Sequence, residues 1–394
     1  MIATPKRKLY LHIGYHKTGT TAIQACLAEN KRLFLKHGYH YPQIDPNDEE
    51  RHHHHNIAWQ VRNHKRYSPQ DGKIDDLLRE IERVRAPRVI ISSEEFSQSN
   101  LPEIRKLAQV FEAYDVTVIV YLRRQDQYLQ AVWAQGVKSG KQYDRFTDWL
   151  EKKVFEQAIS GTPTKDRRSI WVRLNYWQTI ADWASVFGEG NIRVRPYERS
   201  QLPPNILVDF LQTCDLEDTQ WVPDTDQRNV TASLKTLETI RYILAKLKYE
   251  IGEDDRFRAL FTARLREKAE ELGWNDQKMN LITPEIYQRI MCHFTESNQK
   301  IARLYLNRDE LFLEDFVEKP ITTFDINDLT ADEAMAFVGP AFAETLYYAT
   351  YGAPEFEPRW NSTLSQSLNK FRVRYLHPSR TLSKIYRRIF RSMT

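Results

Sequence analysis

The chain has 394 residues, of which 41% are hydrophobic, 12% aromatic and 28% charged, and its formal net charge is +4. This length allows about two or three domains, and the aromatic content excludes a low-complexity disordered chain. No apolar run approaches the roughly 18 residues of a membrane-spanning helix. Three widely spaced cysteines and an N-terminal segment, MIATPKRK, without the apolar stretch of a signal peptide predict a cytoplasmic location.

Strand and helix signals alternate over the first 224 residues. Short apolar runs predict strands at 9–13, 88–91, 116–122 and 192–196. Helical spacing falls between them at 20–38, 57–62, 74–84, 104–114, 126–137, 174–187 and 206–214. The β-branched run at 116–122 is typical of a central parallel strand. The order predicts an α/β fold, with a mostly parallel sheet flanked by helices.

Strand signals stop after about residue 224, and helical periodicity continues at 231–249, 257–272 and 284–306. The last of these helices begins with proline at its first position, which is favourable there. We therefore predict a four-part division of the chain. It consists of an α/β core at 1–224, a helical part at 225–312, an acidic helical extension at 313–359 and a basic tail at 360–394.

The segment Leu9–Thr21, LYLHIGYHKTGTT, joins the first strand to the first helix. Such a turn points backbone N–H groups and the positive end of the helix dipole at an anion, usually a phosphate. Lys17 adds a charge inside the turn. A Walker loop would place lysine directly after the second glycine, where this chain has Thr20. The alternative is a two-glycine turn without a ligand.

The residues Gly-Tyr-His-Lys-Thr-Gly-Thr-Thr resemble the 5′-phosphosulfate loop of the PAPS-dependent sulfotransferases, whose pattern is Lys-[Ser/Thr]-Gly-Thr-Thr. The resemblance covers roughly residues 8–312 and implies a P-loop-like sulfotransferase core with a helical C-terminal region. It implies PAPS as co-substrate and PAP as product. The donor-binding residues implied in this loop are His16, Lys17, Thr18, Gly19, Thr20 and Thr21, with Lys17 also catalytic.

A second motif follows the predicted central strand. Arg123 matches the arginine with which sulfotransferases bind the 3′-phosphate of PAPS, while Ala131 stands where the family has serine. Ala131 therefore lacks a hydroxyl donor, and the sequence leaves open whether this weakens PAPS binding. Arg228 matches the family's late basic segment that contacts the nucleotide. A strand-end arginine in a surface ion pair is the alternative for Arg123.

The acceptor hydroxyl needs a general base, and two residues are candidates. Glu94 follows the strand at 88–91, where cytosolic sulfotransferases carry their histidine. His54 lies in a segment where some polysaccharide sulfotransferases place their base. An exposed carboxylate or a helix cap is the alternative for Glu94. The run of four consecutive histidines that includes His54 could bind a metal, but consecutive residues cannot all face one ion, so solvated loop residues are the favoured interpretation. Sulfuryl transfer requires no metal, and we identify no metal-binding set.

The resemblance implies transfer of a sulfuryl group from PAPS to a hydroxyl, with a carbohydrate as the expected acceptor. Aromatic side chains that could stack on a sugar, or lie in the core, are Tyr128, Trp133 and Trp149. Two other functions stay open from the residues. One is a nucleotide-dependent kinase with a variant P-loop and Glu94 holding Mg²⁺, and the other is a non-catalytic anion-binding relative.

The C-terminal tail is strongly basic. Residues 370–394 contain eight Lys and Arg residues and no acid, and apolar residues from Leu382 to Phe390 recur at helical spacing. Such a segment is typical of an interfacial helix drawn to anionic lipid, so we expect peripheral contact with the inner face of the membrane. Docking on the protein's own acidic body, or binding a polyanionic acceptor, are the alternatives. Nucleic acid is not expected as a partner.

Overall fold

The computed structural model describes residues 6–44, 52–156, 170–202, 204–216, 218, 222, 232–251, 255–275 and 279–351. The strands are β1 (Lys8–His12), β2 (Tyr39–His40), β3 (Arg88–Ser92), β4 (Asp115–Leu122) and β5 (Ile192–Pro196). The α-helices are α1 (Thr20–Glu29), α2 (Lys31–Lys36), α3 (His55–Val61), α4 (Ile74–Val84), α5 (Leu101–Val110), α6 (Gln125–Lys138), α7 (Phe146–Leu150), α8 (Ile170–Leu174), α9 (Tyr176–Phe187), α10 (Ile206–Thr213), α11 (Leu234–Ile251), α12 (Asp255–Glu271), α13 (Pro284–Leu306) and α14 (Ala331–Tyr351).

The five strands form one parallel sheet in the order β2-β3-β1-β4-β5, which confirms the predicted α/β class. β1 is central, and its last residue, His12, pairs with Ser92 of β3 and Ile119 of β4. Seven of the eight residues of β4 are buried, as expected for a parallel strand covered on both faces. One face of the sheet packs on α1 and α10 through a cluster that includes Tyr10, Tyr121, Ile23, Leu27 and Phe210.

The strand order places a topological switch point at the centre of the sheet. From β1 the chain moves to β2 and β3 on one side, and then crosses to β4 on the other side. In open α/β sheets, ligands bind at the carboxyl ends of the strands where the order reverses. The loop after β1 and the residues after β4 therefore lie at the position where a ligand is expected.

The segment from Thr20 to His40 differs from the prediction. The helix predicted at 20–38 is interrupted, because Asn30 leaves helical geometry (φ −109°, ψ 18°) and its side-chain amide donates to the carbonyl of Cys26 at 3.0 Å. The short strand β2 was not predicted, because its two residues, Tyr39 and His40, are too few to give a strand pattern. Its two residues pair with Arg88 and Val89 of β3.

The described residues belong to two compact units. The first falls within 1–129, 152–228 and 284–317 and contains the whole sheet; the second falls within 130–151, 229–283 and 318–394. In the second unit, Phe342 of α14 makes edge contacts with Phe257 and Phe261 of α12. The four-part division of the sequence stays a prediction. Within the described ranges, no helix is both long and apolar enough to cross a membrane.

Candidate functional site

The loop between β1 and α1 has an unusual backbone. Gly14, Lys17 and Gly19 all have positive φ, of 42°, 68° and 77°. Lysine rarely adopts this conformation, which costs roughly 1–2 kcal/mol for a residue with a Cβ atom. A Cβ on Gly14 would lie 2.8 Å from Cγ2 of Thr20. Glycine at this position therefore lets the loop fold back closely on the first residue of the helix.

The threonines of the loop have different environments. Thr18 is fully buried, and its hydroxyl donates to the carbonyl of Tyr15 at 2.6 Å, which holds the loop closed. Thr20 is also buried, whereas Thr21 is exposed. Gly19, the residue before α1, has no side chain that could cap the helix. The N–H groups in the first turn of α1 are therefore not satisfied by a capping side chain. The helix start thus provides donors of the kind that bind anions.

Arg123 lies beside this loop. Its Nη1 donates to the carbonyl oxygen of Lys17 at 3.1 Å, and its own carbonyl accepts a hydrogen bond of 2.6 Å from the hydroxyl of Tyr176. Burial lowers the pKa of the Arg123 guanidinium. Its Nε is buried without a hydrogen-bond partner among the described residues. A buried, unsatisfied cationic donor next to an anion-type loop is suited to a negatively charged ligand.

Tyr197 also contacts the loop, although no sequence motif identified it as a candidate site residue. A Cβ on Gly19 would lie 3.1 Å from Cε2 of the Tyr197 ring, and the Arg123 guanidinium lies 5.7 Å from the centre of that ring. The available signal was its position directly after β5, at the same edge of the sheet as the loop and Arg123. Tyr197 therefore packs against both sequence-predicted motifs.

Glu94 begins the 3₁₀ turn Glu94–Gln98 that follows β3. Its Cβ lies 3.4 Å from the place that a Cβ on Gly14 would occupy, so the residue adjoins the loop directly. Its Oε2 accepts a hydrogen bond of 3.1 Å from the side chain of Gln24. Its Oε1 lies 3.8 Å from Nδ1 of His16 and 3.6 Å from Nε2 of His55. The structure thus brings the predicted base Glu94 and the predicted loop residue His16 together.

The two histidines beside Glu94 are largely neutral at physiological pH. Burial lowers the pKa of His55 to about 4, and its Nδ1 forms a hydrogen bond of 2.7 Å with the hydroxyl of Ser93. Burial also lowers the pKa of His16, although the carboxylates of Glu94 and Glu95 oppose that shift. Neutral imidazoles can still donate hydrogen bonds, so these rings supply polar groups beside Glu94 without adding charge.

His54, the second candidate base, is buried, and both of its ring nitrogens contact backbone. Nδ1 accepts from the N–H of Ser92 at 3.1 Å, and Nε2 lies 2.9 Å from the carbonyl oxygen of Pro42. Burial lowers the pKa of His54 to about 4. These contacts hold the end of β3 against the segment after β2. A catalytic role for His54 stays a prediction from the sequence.

The remaining predicted residues lie elsewhere. Tyr128, Trp133 and Trp149 are buried, at 0%, 1% and 7% exposure, and belong to the core. Arg228 and the basic tail at 360–394 lie outside the described residues. Across the described part of the chain, no group of three or more His, Cys, Asp or Glu side chains is placed to hold a metal ion.

The known proteins that resemble this chain have low sequence identity to it. No known family profile matches this sequence. An uncharacterised protein of Archaeoglobus fulgidus is 26% identical over 228 residues, which are 57% of this chain and 55% of that protein. The match thus spans about half the length of that relative. The crystal structure of a sulfotransferase from Alicyclobacillus acidocaldarius aligns over 77% of this chain and 97% of its own, with a TM-score of 0.42 and 14% identity.

Proposed function

We propose that this protein is a sulfotransferase that moves a sulfuryl group from PAPS to a hydroxyl of a carbohydrate. The observation that carries the proposal is the 3.1 Å hydrogen bond from Arg123 to the carbonyl of Lys17. It joins the phosphosulfate-type loop and the strand-end arginine at the switch point of the sheet, where α/β proteins bind ligands. The two motifs that resemble the sulfotransferase family are far apart in sequence and adjacent in space.

The residues at this edge fit the anionic groups of PAPS. Gly14 and Gly19 let the loop backbone pack closely, because an added Cβ would lie 2.8 Å from Cγ2 of Thr20 and 3.1 Å from the ring of Tyr197 respectively. The start of α1 and Lys17 would bind the 5′-phosphosulfate, and Arg123, with its unsatisfied Nε, would bind the 3′-phosphate. Arg228 is proposed as a further nucleotide contact from its sequence alone.

The proposed reaction is an in-line displacement at sulfur. A bond forms between the acceptor oxygen and sulfur, and the bond between sulfur and the 5′-phosphate oxygen of PAP breaks. Negative charge then develops on that phosphate oxygen. Lys17 and the N–H groups of the loop stabilise this charge, a kind of contribution worth about 10²–10³ in rate for a single donor. Positioning of the two substrates supplies the rest, as in phosphoryl transfer.

Glu94 is the proposed general base. It adjoins the loop, and its Oε2 is already held by Gln24, whereas the imidazoles near Oε1 lie beyond hydrogen-bond distance at 3.6 Å and 3.8 Å. Oε1 is therefore the atom proposed to take the proton of the acceptor hydroxyl. We prefer Glu94 over His54 for this role because both ring nitrogens of His54 already contact backbone.

The acceptor class rests on the family resemblance and on one aromatic side chain. Trp59 of α3 is half-buried, and its ring lies 5.6 Å from that of His55, which in turn contacts Glu94. The ring of His64 stacks on this indole at 6.0 Å and the guanidinium of Arg66 lies 5.8 Å from its centre, so a sugar is proposed to stack on the part of the indole that these two side chains leave uncovered. Tyr128, Trp133 and Trp149 are not proposed for stacking, because they are buried.

A titration of PAP against ATP, with and without Mg²⁺, tests the donor assignment. A sulfotransferase binds PAP without metal, a kinase binds ATP with Mg²⁺, and a non-catalytic relative with a degenerate loop binds neither. Transfer of labelled sulfate from PAPS to a panel of neutral and acidic oligosaccharides then tests the acceptor class. Binding of ATP–Mg²⁺ in preference to PAP would refute the proposal.

A further inference from the structure

Gln24 links α1 to the proposed base, Glu94. We call the loop between β1 and α1 the anion loop. Gln24 lies in α1, four residues after Thr20, and is 4% exposed. Its Nε2 lies 3.1 Å from Oε2 of Glu94 and 3.1 Å from the hydroxyl of Ser92. A single buried amide group therefore donates to a carboxylate and to a residue at the end of β3.

Ser92, the last residue of β3, connects Gln24 to the sheet. Its hydroxyl also forms a hydrogen bond of 2.8 Å with Nδ1 of His12, the last residue of β1 and fully buried. His12 and Ser92 are paired in the parallel register of β1 and β3. The row His12–Ser92–Gln24–Glu94 thus runs from the centre of the sheet to the edge of the loop. Buried hydrogen-bonded side chains of this kind hold one another in a single orientation.

The position of Glu94 makes such a restraint necessary. The Cβ of Glu94 adjoins Gly14, and the same loop contains Lys17 and the uncapped start of α1. A carboxylate free to rotate there would compete for the donors that bind an anionic ligand, and would also repel that ligand. A general base beside an anion site must therefore be held at a fixed distance from it.

We propose that Gln24 is the positioning residue for Glu94. It holds Oε2, keeps the carboxylate out of the anion loop, and leaves Oε1 directed at the acceptor hydroxyl. This role rests on the proposed sulfotransferase function. It adds to that function a residue that contacts neither substrate but fixes the position of the Glu94 carboxylate relative to the donor site.

A double-mutant cycle on PAP affinity tests this role without any knowledge of the acceptor. Calorimetry compares the wild type, Gln24→Met, Glu94→Gln and the double variant. Methionine has a similar length and lacks the donor. We expect Gln24→Met to weaken PAP binding about tenfold in the wild-type background, because the released carboxylate enters the loop. We expect no effect in the Glu94→Gln background, where that charge is absent.

Control variants separate positioning from a general structural effect. Gln60→Met removes a side-chain acceptor from the N–H of Ile74, away from Glu94, and is expected to leave PAP affinity unchanged. Gln24→Asn replaces Gln24→Met if the methionine variant folds poorly. The asparagine amide is too short to reach Glu94, so we expect the same loss of PAP affinity. Circular dichroism and thermal unfolding verify that each variant is folded.

The outcomes are distinct. Weakening by Gln24→Met in both backgrounds would mean that Gln24 supports the loop helix and not Glu94. Unchanged affinity in both backgrounds would also overturn the inference. If the wild-type chain itself does not bind PAP, the proposed function fails at its first step, and this result is recognised before any variant is compared.

Discussion

The Nη1 of Arg123 and the carbonyl oxygen of Lys17 lie 3.1 Å apart, joined by a hydrogen bond between residues 106 positions apart in the chain. Lys17 has a left-handed backbone conformation, with φ of 68°. Arg123 therefore stabilises the loop at Lys17, the non-glycine residue of the loop that has an unfavourable left-handed backbone. Loop shape and cation placement thus depend on each other, and a change in either residue should affect anion binding.

We predict that Lys17→Ala abolishes turnover while the fold survives. The lysine lies inside the anion loop, where loss of one charge-stabilising group costs about 10²–10³ in rate. Transfer of labelled sulfate from PAPS would be measured together with circular dichroism. Lys36→Ala, at an exposed position at the end of α2, is the matched control. A folded Lys17→Ala protein with a near-normal rate would contradict the assignment.

We predict that Arg123→Lys lowers affinity for PAP more than affinity for adenosine 5′-phosphosulfate, which lacks the 3′-phosphate. Lysine keeps the charge but lacks the planar fork that binds two phosphate oxygens. The loss of charge-assisted hydrogen bonds corresponds to about 1.5–3 kcal/mol. Calorimetry with the two nucleotides decides the point, and Arg105→Lys on the exposed face of α5 serves as control. An equal loss of affinity for both nucleotides would mean that Arg123 does not contact the 3′-phosphate.

We predict that Gly19→Ala destabilises the loop and weakens PAP binding. The residue has φ of 77°, and its added Cβ would lie 3.1 Å from the ring of Tyr197. The backbone conformation alone costs roughly 1–2 kcal/mol for alanine. Gly190→Ala is the control, since no atom lies within 4 Å of the added Cβ. Urea unfolding and PAP titration of both variants would be compared, and equal behaviour would show that the loop tolerates a side chain.

We predict that the free energy of unfolding falls as the pH is lowered from about 6.5 towards 4. Burial lowers the pKa of His12 and of His54 from 6.5 to about 4. Between these values the unfolded chain binds protons that the folded chain excludes, so acid favours unfolding. Each histidine contributes up to about 1.4 kcal/mol per pH unit. Urea unfolding at pH 7, 6 and 5 should show a shallower dependence in His54→Gln; an identical slope would exclude His54 as a contributor.

We predict that truncation after Arg359 releases the protein from anionic liposomes and leaves PAP binding intact. Residues 370–394 carry eight positive charges and no acid, and their apolar residues repeat at helical spacing. Each basic residue near an anionic surface contributes about 1 kcal/mol, which salt reduces. Co-sedimentation of both forms at low and physiological salt is the measurement. Equal pelleting of the two forms would show that the tail is not a membrane element.

The sequence alone determined the fold class and the candidate anion loop. Apolar runs and the spacing of Gly14, Lys17 and Gly19 are local properties, so periodicity and turn chemistry predicted β1, α1 and the loop between them. The runs at 88–91 and 116–122 predicted β3 and β4 in the same way. The two-residue strand β2 was not recognised, because its pairing with β3 supplies a stability that no local pattern shows.

Only the tertiary structure decided which of these residues meet. The strand order brings the ends of β1, β3 and β4 to one edge, and so places Arg123 on Lys17 and Glu94 beside Gly14. No local pattern in α1 distinguishes Gln24, and only packing places its amide against Glu94. Burial decided that Tyr128, Trp133 and Trp149 are core residues. Contacts between distant segments depend on how the sheet is ordered, and that order has no signature in the spacing of neighbouring residues.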